Sequence, residues 1–253
     1  MQTASTGTTD DLPSPPQASP LVGVLALQGD FADHERALQA CGLRTRQIRK
    51  AAQLDGIDGL VLPGGESTTM LRLLDVEGLW QPLGRVLQSG LPVLATCAGM
   101  ILCAQHVENP RQRSYGVLPI TVVRNGYGRQ FHSGTFALEV GGSLGRGAAL
   151  GDGAREATMS GTFIRAPRIT AVHTEDCEVL ARRRDEQGHE DPVLVRYRNV
   201  LAACFHPELR GVNHPVTQLF AASVRNEWTR ARNASQPVAR GEAQASFAAG
   251  EGP

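Results

Sequence analysis

The 253-residue chain has no excess of charge of either sign. Its 25 lysines and arginines balance 25 aspartates and glutamates, so the formal net charge is zero. Neither a basic face for nucleic acid nor an acidic tail for a basic partner is indicated. No apolar run approaches the length of about 18 residues that a membrane-spanning helix needs. The N-terminus has no apolar signal-peptide core, so a cytosolic protein is expected. There is no CxxC pair and no HExxH run, so a zinc site is not expected. LALQGD lacks the GxGxxG spacing, and PGGEST lacks the Gly-Lys-Ser/Thr of a Walker loop, so no nucleotide or other cofactor is expected. Five cysteines, an odd number without paired spacing, argue against a disulfide framework and fit a reducing compartment.

What remains is an ordinary soluble composition, 41% hydrophobic and 20% charged. Residues 1–20 are rich in Thr, Ser, Pro and Gln, and residues 231–253 in Ala, Gly, Gln and Glu. Neither end can bury enough apolar surface to offset ordering, so both are expected to be disordered tails. Residues 21–230 are long enough for one core. Within them, continuous apolar runs alternate with helical patterns. LVGVLAL (21–27), the more polar RTRQI (44–48), GLVLP (59–63) and LPVLAT (91–96) read as strands. FADHERALQACG (31–42), a helix capped by Ser67 and running through Leu74, and a helix from 79 to 88 lie between them. This alternation predicts a three-layer α/β fold, a mostly parallel sheet flanked by helices with a flavodoxin-like core. After Gly116 the pattern turns β-rich: GVLPITVVR, GTFALEV, a run near Ile169, EVLARRR, PVLVRY and VLAACF. Additional antiparallel strands are expected there, with a solvated hairpin at 181–191 and a final helix over about 214–229.

One cysteine stands where a strand is expected to turn into a helix. LPVLAT leads into Cys97-Ala98-Gly99, and MILCAQ (100–105) reads as the helix that follows. A nucleophile on such a turn is held clear of the sheet, and the amides of the helix start favour its thiolate. More than a hundred residues later, another apolar run ends in Phe205-His206-Pro207-Glu208. Thiol, imidazole and carboxylate make a set of nucleophile, base and orienter for acyl transfer. Residues two apart on an extended backbone project to one side, which would aim His206 and Glu208 together. The amides of Gly65 and Ala98 are candidate donors to the oxyanion of a tetrahedral intermediate. The loops after the first strand (Gln28-Gly29), the third (Pro63 to Ser67) and the fourth (Thr96 to Gly99) would cluster outside the carboxyl ends of the sheet, where open α/β folds bind ligands. Cys41, Cys103, Cys177 and Cys204 read as core. His34, His106, His132, His173, His189 and His214 read as surface or structural.

The blocks GVLALQGDF, GLVLPGGESTTM, ATCAGMILCA, RNGYGRQF, GTFIRAPRI and CFHPEL occur in collinear order across about residues 21–230. Together they resemble the glutaminase-subunit family of pyridoxal 5′-phosphate synthases, within the class I (triad) glutamine amidotransferases. That resemblance implies hydrolysis of L-glutamine to glutamate and ammonia through a cysteine thioester. It implies a separate (β/α)8 synthase subunit in a large heteromeric complex, which takes the ammonia through a tunnel for vitamin B6 synthesis. Carried over block by block, Cys97 is the nucleophile and His206 and Glu208 complete the triad. Gly65, Glu66, Ser67, Arg124, Ile164 and Arg165 fall on the substrate-contacting positions. A cysteine peptidase on a similar fold is disfavoured by the HPE block, with its own acid two residues after the histidine.

Overall fold

The computed structural model describes residues 19–127, 133–145, 158–211 and 213–234. The first half is a regular alternation: β1 (Leu21–Leu25), α1 (Phe31–Ala40), β2 (Arg44–Ile48), β3 (Gly59–Leu62), α2 (Ser67–Val76), α3 (Trp80–Gln88), β4 (Val93–Thr96) and α4 (Ala98–Cys103). The second half is mostly strands: β5 (Ala104–Glu108), β6 (Leu118–Val123), β7 (Ser133–Val140), β8 (Thr158–Ile164), β9 (Arg168–Val172), β10 (Glu178–Arg184), β11 (Glu190–Tyr197) and β12 (Val200–Ala203). A short α5 (Gly142–Gly145) follows β7, and α6 (Pro215–Ala234) closes the described chain.

Nine strands form one sheet in the order β2-β1-β3-β4-β12-β11-β10-β7-β8. The first five are parallel, and from β11 onward each neighbour is antiparallel. The order 2-1-3-4 followed by β12 is the flavodoxin-like arrangement, whose switch point lies between β1 and β3. β5, β6 and β9 make a separate three-stranded sheet.

The local reasons are legible. Every residue of β1, β3, β4 and β12 is buried, as continuous apolar strands covered by helices on both faces require. The polar β2 lies at the sheet edge, where its exposed side chains are solvated. α1 ends through Gly42, at φ 75°, with Leu43 N donating to Leu38 O and Gly42 N to Gln39 O. That pattern satisfies the last carbonyls of the helix. The hairpin at 181–191 is present, its turn tied by Gln187 N and His189 N donating to Asp185 Oδ1. Two of its residues are not solvated: Ala181 is buried, and so is Arg183, its guanidinium 4.2 Å from the Phe136 ring centroid and 4.9 Å from that of Tyr127.

Two expectations are corrected by tertiary pairing. The helix after the elbow does not continue through Gln105. It stops at Cys103, because residues 104–108 pair as β5 with β6, from Ala104 opposite Leu118 to Val107 opposite Val122. Ser67 does not cap α2 either. The cap is Glu66, whose carboxylate accepts from Thr68 N at 3.1 Å and Thr69 N at 2.6 Å. The longer side chain reaches two orphan amides at once, and Ser67 becomes the first helical residue. The described chain starts at residue 19 and ends at 234, so most of the two expected tails lies outside it.

Candidate active site

Cys97 lies between β4 and α4 with φ 46° and ψ −105°. A non-glycine residue held there stores on the order of 1–3 kcal/mol and persists only where its surroundings over-determine it. Here they do. Cys97 N donates to Ala203 O at 2.9 Å on β12, Ile101 N donates to Cys97 O at 3.2 Å, and Gly99 N donates to Pro63 O at 3.1 Å. A Cβ on Gly99 would lie 2.0 Å from Leu62 O, so only glycine lets the turn approach β3 this closely.

His206 follows β12, its amide donating to Thr162 O at 2.8 Å on β8. Its Nδ1 lies 2.8 Å from Glu208 Oε1, and its ring lines the same pocket as Cys97. With Nδ1 engaged by the carboxylate, Nε2 is left for the thiol. The chain that aims the pair is not extended. Pro207–Arg210 form a 3-10 turn, which folds the acid back under its own histidine. The expected partnership holds, but by a tight turn rather than by strand geometry.

Burial alone would push the His206 pKa down. Hydrogen bonds to Cys97 and Glu208, with the charges of both, overcome it and raise the pKa to about 10. Burial would likewise raise Glu208. The charge of His34 and the hydrogen bond to His206 overrule it and hold the carboxyl at about 2. Both shifts favour an imidazolium beside a carboxylate.

A pocket of about 220 Å³ opens over these groups. Its walls include Gly65, Glu66 and Ser67 from the β3 loop, Cys97, Ile101, Arg124, Ile164, Arg165 and His206. The structure thus brings together all the carried-over positions except two. Glu208 lies behind His206, and Ala98, fully buried, is the first residue of α4. Arg124 Nη2 donates to Glu66 Oε1 at 2.8 Å, so two of the positions expected to contact substrate pair with each other. Partial burial would raise the Glu66 pKa, but the amides of Thr69 and Thr68 hold it at about 2. With Asp30 and Arg165 the pocket rim carries two acids and two bases, suited to a zwitterion. Of RNGYGRQF, residues 128–131 lie outside the described residues. A larger hollow of about 390 Å³ lies between α6 and the starts of β4 and β12, with neither cysteine nor histidine in its lining.

The glycines of the loop have different uses. A Cβ on Gly64 would lie 2.3 Å from His206 Cε1, so the imidazole packs against bare backbone. Gly65 sits at φ 142°, and a Cβ there would meet Gln28 Oε1 at 2.5 Å.

The SNO glutamine amidotransferase family matches residues 24–226, which include the elbow, the double glycine and the HPE block. The chain belongs to that family. Among relatives in it, the pyridoxal 5′-phosphate synthase subunit PdxT of Cutibacterium acnes is 45% identical over 194 residues, 75% of this chain and 90% of its own length. PdxT of Mycobacteroides abscessus is 46% identical over 209 residues, 82% of this chain and 98% of its own. A crystal structure of a glutamine amidotransferase is 39% identical, with a TM-score of 0.67, over 81% of this chain and 98% of that one. PurLQS from Thermotoga maritima, 19% identical with a TM-score of 0.60 over 83% of this chain and 100% of that one, shares the fold.

Three candidate site residues of this family member escaped the sequence reading, and a fourth, Gln28, was placed only as part of the loop after the first strand. Gln28 accepts from Glu66 N at 2.8 Å and lines the pocket. Asn125, also lining it, has a left-handed backbone at φ 50°. Asp30 stands at the N-cap of α1 but makes no side-chain cap bond; its Oδ2 lies 3.4 Å from His206 Nδ1. His34, read as surface or structural, is buried with Nε2 3.3 Å from Glu208 Oε2. Only Asp30 and His34 carried a signal: four residues apart, they share a face of α1. Among the described residues, Asp30, His206 and Glu208 bring candidate ligand atoms within 4.8 Å of one another. Two of these are the imidazole and carboxylate already bonded together.

Proposed function

We propose that this chain hydrolyses L-glutamine to L-glutamate and ammonia with Cys97, His206 and Glu208, as the ammonia-donating subunit of a pyridoxal 5′-phosphate synthase. The observation that carries it is the imidazole of His206, bonded to Glu208 on one side and sharing with Cys97 a pocket lined by charges of both signs. The synthase context is supported by the relatives called pyridoxal 5′-phosphate synthase subunit PdxT.

The chemistry follows from these groups. The Cys97 thiolate attacks the side-chain amide carbon of glutamine, and the carbonyl oxygen becomes an oxyanion. The amides of Gly65 and Ala98 donate to it. Removing one such donor typically raises the barrier by about 3–4 kcal/mol. His206 gives its proton to the leaving nitrogen, ammonia departs, and a thioester to Cys97 remains. Water enters, loses a proton to His206 and attacks the thioester. Collapse of the second tetrahedral intermediate releases glutamate and restores the thiolate–imidazolium pair. Glu208 keeps the proton of His206 Nδ1 in place throughout. Glu66 and Arg124, with Ser67, Ile164 and Arg165, hold the amino-acid end of the substrate.

The ammonia acceptor is a (β/α)8 synthase subunit in a large heteromeric complex, and five free cysteines support a cytoplasmic setting. Among the described residues no helix is long and apolar enough to cross a membrane. The test is glutamate release from glutamine by the full chain mixed with the synthase subunit. Cys97→Ala is expected to abolish it while leaving the thermal unfolding transition in place. Turnover by folded Cys97→Ala would refute the triad.

A further inference from the structure

The proposed triad uses one oxygen of Glu208. The other, Oε2, is fully buried and has no well-aligned hydrogen-bond donor among the described residues. A buried carboxylate oxygen without a partner costs free energy, so its nearest polar neighbour matters. That neighbour is His34 on α1, with Nε2 at 3.3 Å. The same Nε2 lies 3.1 Å from Thr96 Oγ1, the residue before the nucleophile. His34 is 2% exposed and occupies the apolar face of α1, three residues after Phe31 and four before Leu38. An aliphatic side chain would fill that position at less desolvation cost.

The contacts close a ring. Cys97 shares its pocket with His206, His206 meets Glu208, Glu208 meets His34, and His34 meets Thr96, which is bonded to Cys97 through the backbone. We infer that His34 is a positioning residue of this site, holding the second oxygen of Glu208 and acting on Cys97 through that carboxylate. The inference rests on the triad reading above. A proton on His34 Nε2 is shared between the Thr96 hydroxyl and the carboxylate, and it keeps Glu208 ionised and turned toward His206. The other charged or titratable groups facing Glu208 are His206 just before its own turn, Asp30 at the start of α1, and His214 before α6. None of these is placed to replace His34 at Oε2.

The full-length chain is compared with His34→Ala, His34→Gln, Glu208→Gln and the double variant His34→Ala/Glu208→Gln. Glutamate release and inactivation by an electrophilic glutamine analogue are measured across pH. His34→Ala is expected to lower kcat about ten- to a hundredfold, the scale of a lost hydrogen bond to a charged group. KM for glutamine is expected to stay within about threefold, because no pocket wall is removed. The acid limb of the inactivation profile moves to higher pH, since a less supported carboxylate favours the imidazolium less. His34→Gln retains an N–H donor and recovers part of the loss. In the Glu208→Gln background, His34→Ala adds less than about twofold, as expected of residues acting in one chain.

Losses that multiply in the double variant would overturn the inference. So would wild-type kcat in His34→Ala, or His34→Gln as impaired as His34→Ala with an unmoved pH profile. If His34→Ala does not fold, the same comparison is made with His34→Gln and His34→Gln/Glu208→Gln. Inactive Cys97→Ala beside fully active His34 variants would sink this inference alone, whereas active Cys97→Ala would sink the triad beneath it.

Discussion

At the scale of single residues, all five cysteines are buried, and place in the fold separates Cys97, which lines the pocket beside His206, from the other four. Burial pushes the Cys103 thiol up to about 12 and the Cys177 thiol up to about 11, and it raises Cys41 and Cys204 as well. These are inert thiols at neutral pH. An electrophilic glutamine analogue is therefore expected to label Cys97 and spare the rest, read by peptide mass mapping; equal labelling of Cys103 or Cys204 would remove Cys97 from its role. His206→Asn is expected to cost far more activity than Glu208→Gln. The histidine moves protons while the acid orients it, and Asp30 offers Nδ1 a second carboxylate at 3.4 Å. Comparable losses in two folded variants would contradict this division. The raised His206 pKa also makes a stability prediction. A protonated state favoured by folding contributes fully below the ordinary histidine value near 6.5 and is lost as pH rises toward about 10. Glu208, held low, contributes above its ordinary range and is lost as pH falls toward about 2. The urea midpoint of the wild type is thus expected to fall more steeply between pH 7 and about 10 than that of His206→Asn. Parallel slopes would show that the pair adds no pH-dependent stability.

At the scale of elements, the site is made where loops touch backbone to backbone. Gly29 has φ 93°, and a Cβ on it would lie 1.8 Å from Gly64 O, so the loops after β1 and β3 interlock. Gln28 then reaches across to the amide of Glu66, and Glu66 in turn caps α2. Gly65→Val is expected to lose at least about a hundredfold in glutamate release, the scale of a lost oxyanion donor. A β-branched residue resists φ 142° and its Cβ would collide with Gln28. Near-normal turnover in that variant would remove Gly65 from the oxyanion hole. The short turn Pro207–Arg210 shows the same economy: it, rather than a strand, brings the acid to the histidine.

At the scale of the whole molecule, the site lies outside the carboxyl ends of β1, β3, β4 and β12, at the switch point of a flavodoxin-like sheet. An open pocket there exposes the ammonia to water, where protonation ends its nucleophilicity. Coupling to a synthase subunit is the chemical remedy. Glycines at 64 and 65 allow the peptide between them two orientations at little steric cost, and a docked partner is expected to select one. Weak glutamate release by the chain alone and clear stimulation by added synthase subunit are expected. Full activity of the isolated chain, unchanged at saturating synthase, would contradict the gating and leave the triad standing.

The alternation of buried strands and helices was legible because fully covered parallel strands are apolar along their whole length, as β1, β3 and β4 are. The proposed triad was legible because an elbow cysteine and an HPE block combine residue types that chemistry rarely leaves idle. Family membership, too, was readable from short blocks in order. Ala104–Glu108 had no local signature to distinguish it from a continuing helix; pairing with β6, across the chain, decided it. Gln28 as the tether of Glu66 and His34 behind Glu208 are contacts between segments 38 and 174 residues apart, the first a hydrogen bond from Glu66 to Gln28 and the second His34 facing Glu208. The amino-acid order by itself determined which groups this protein has for its chemistry and on which elements they lie. Only the tertiary structure decided which polar groups lie beyond the reach of water, and burial is what turns a neighbouring side chain into a working partner.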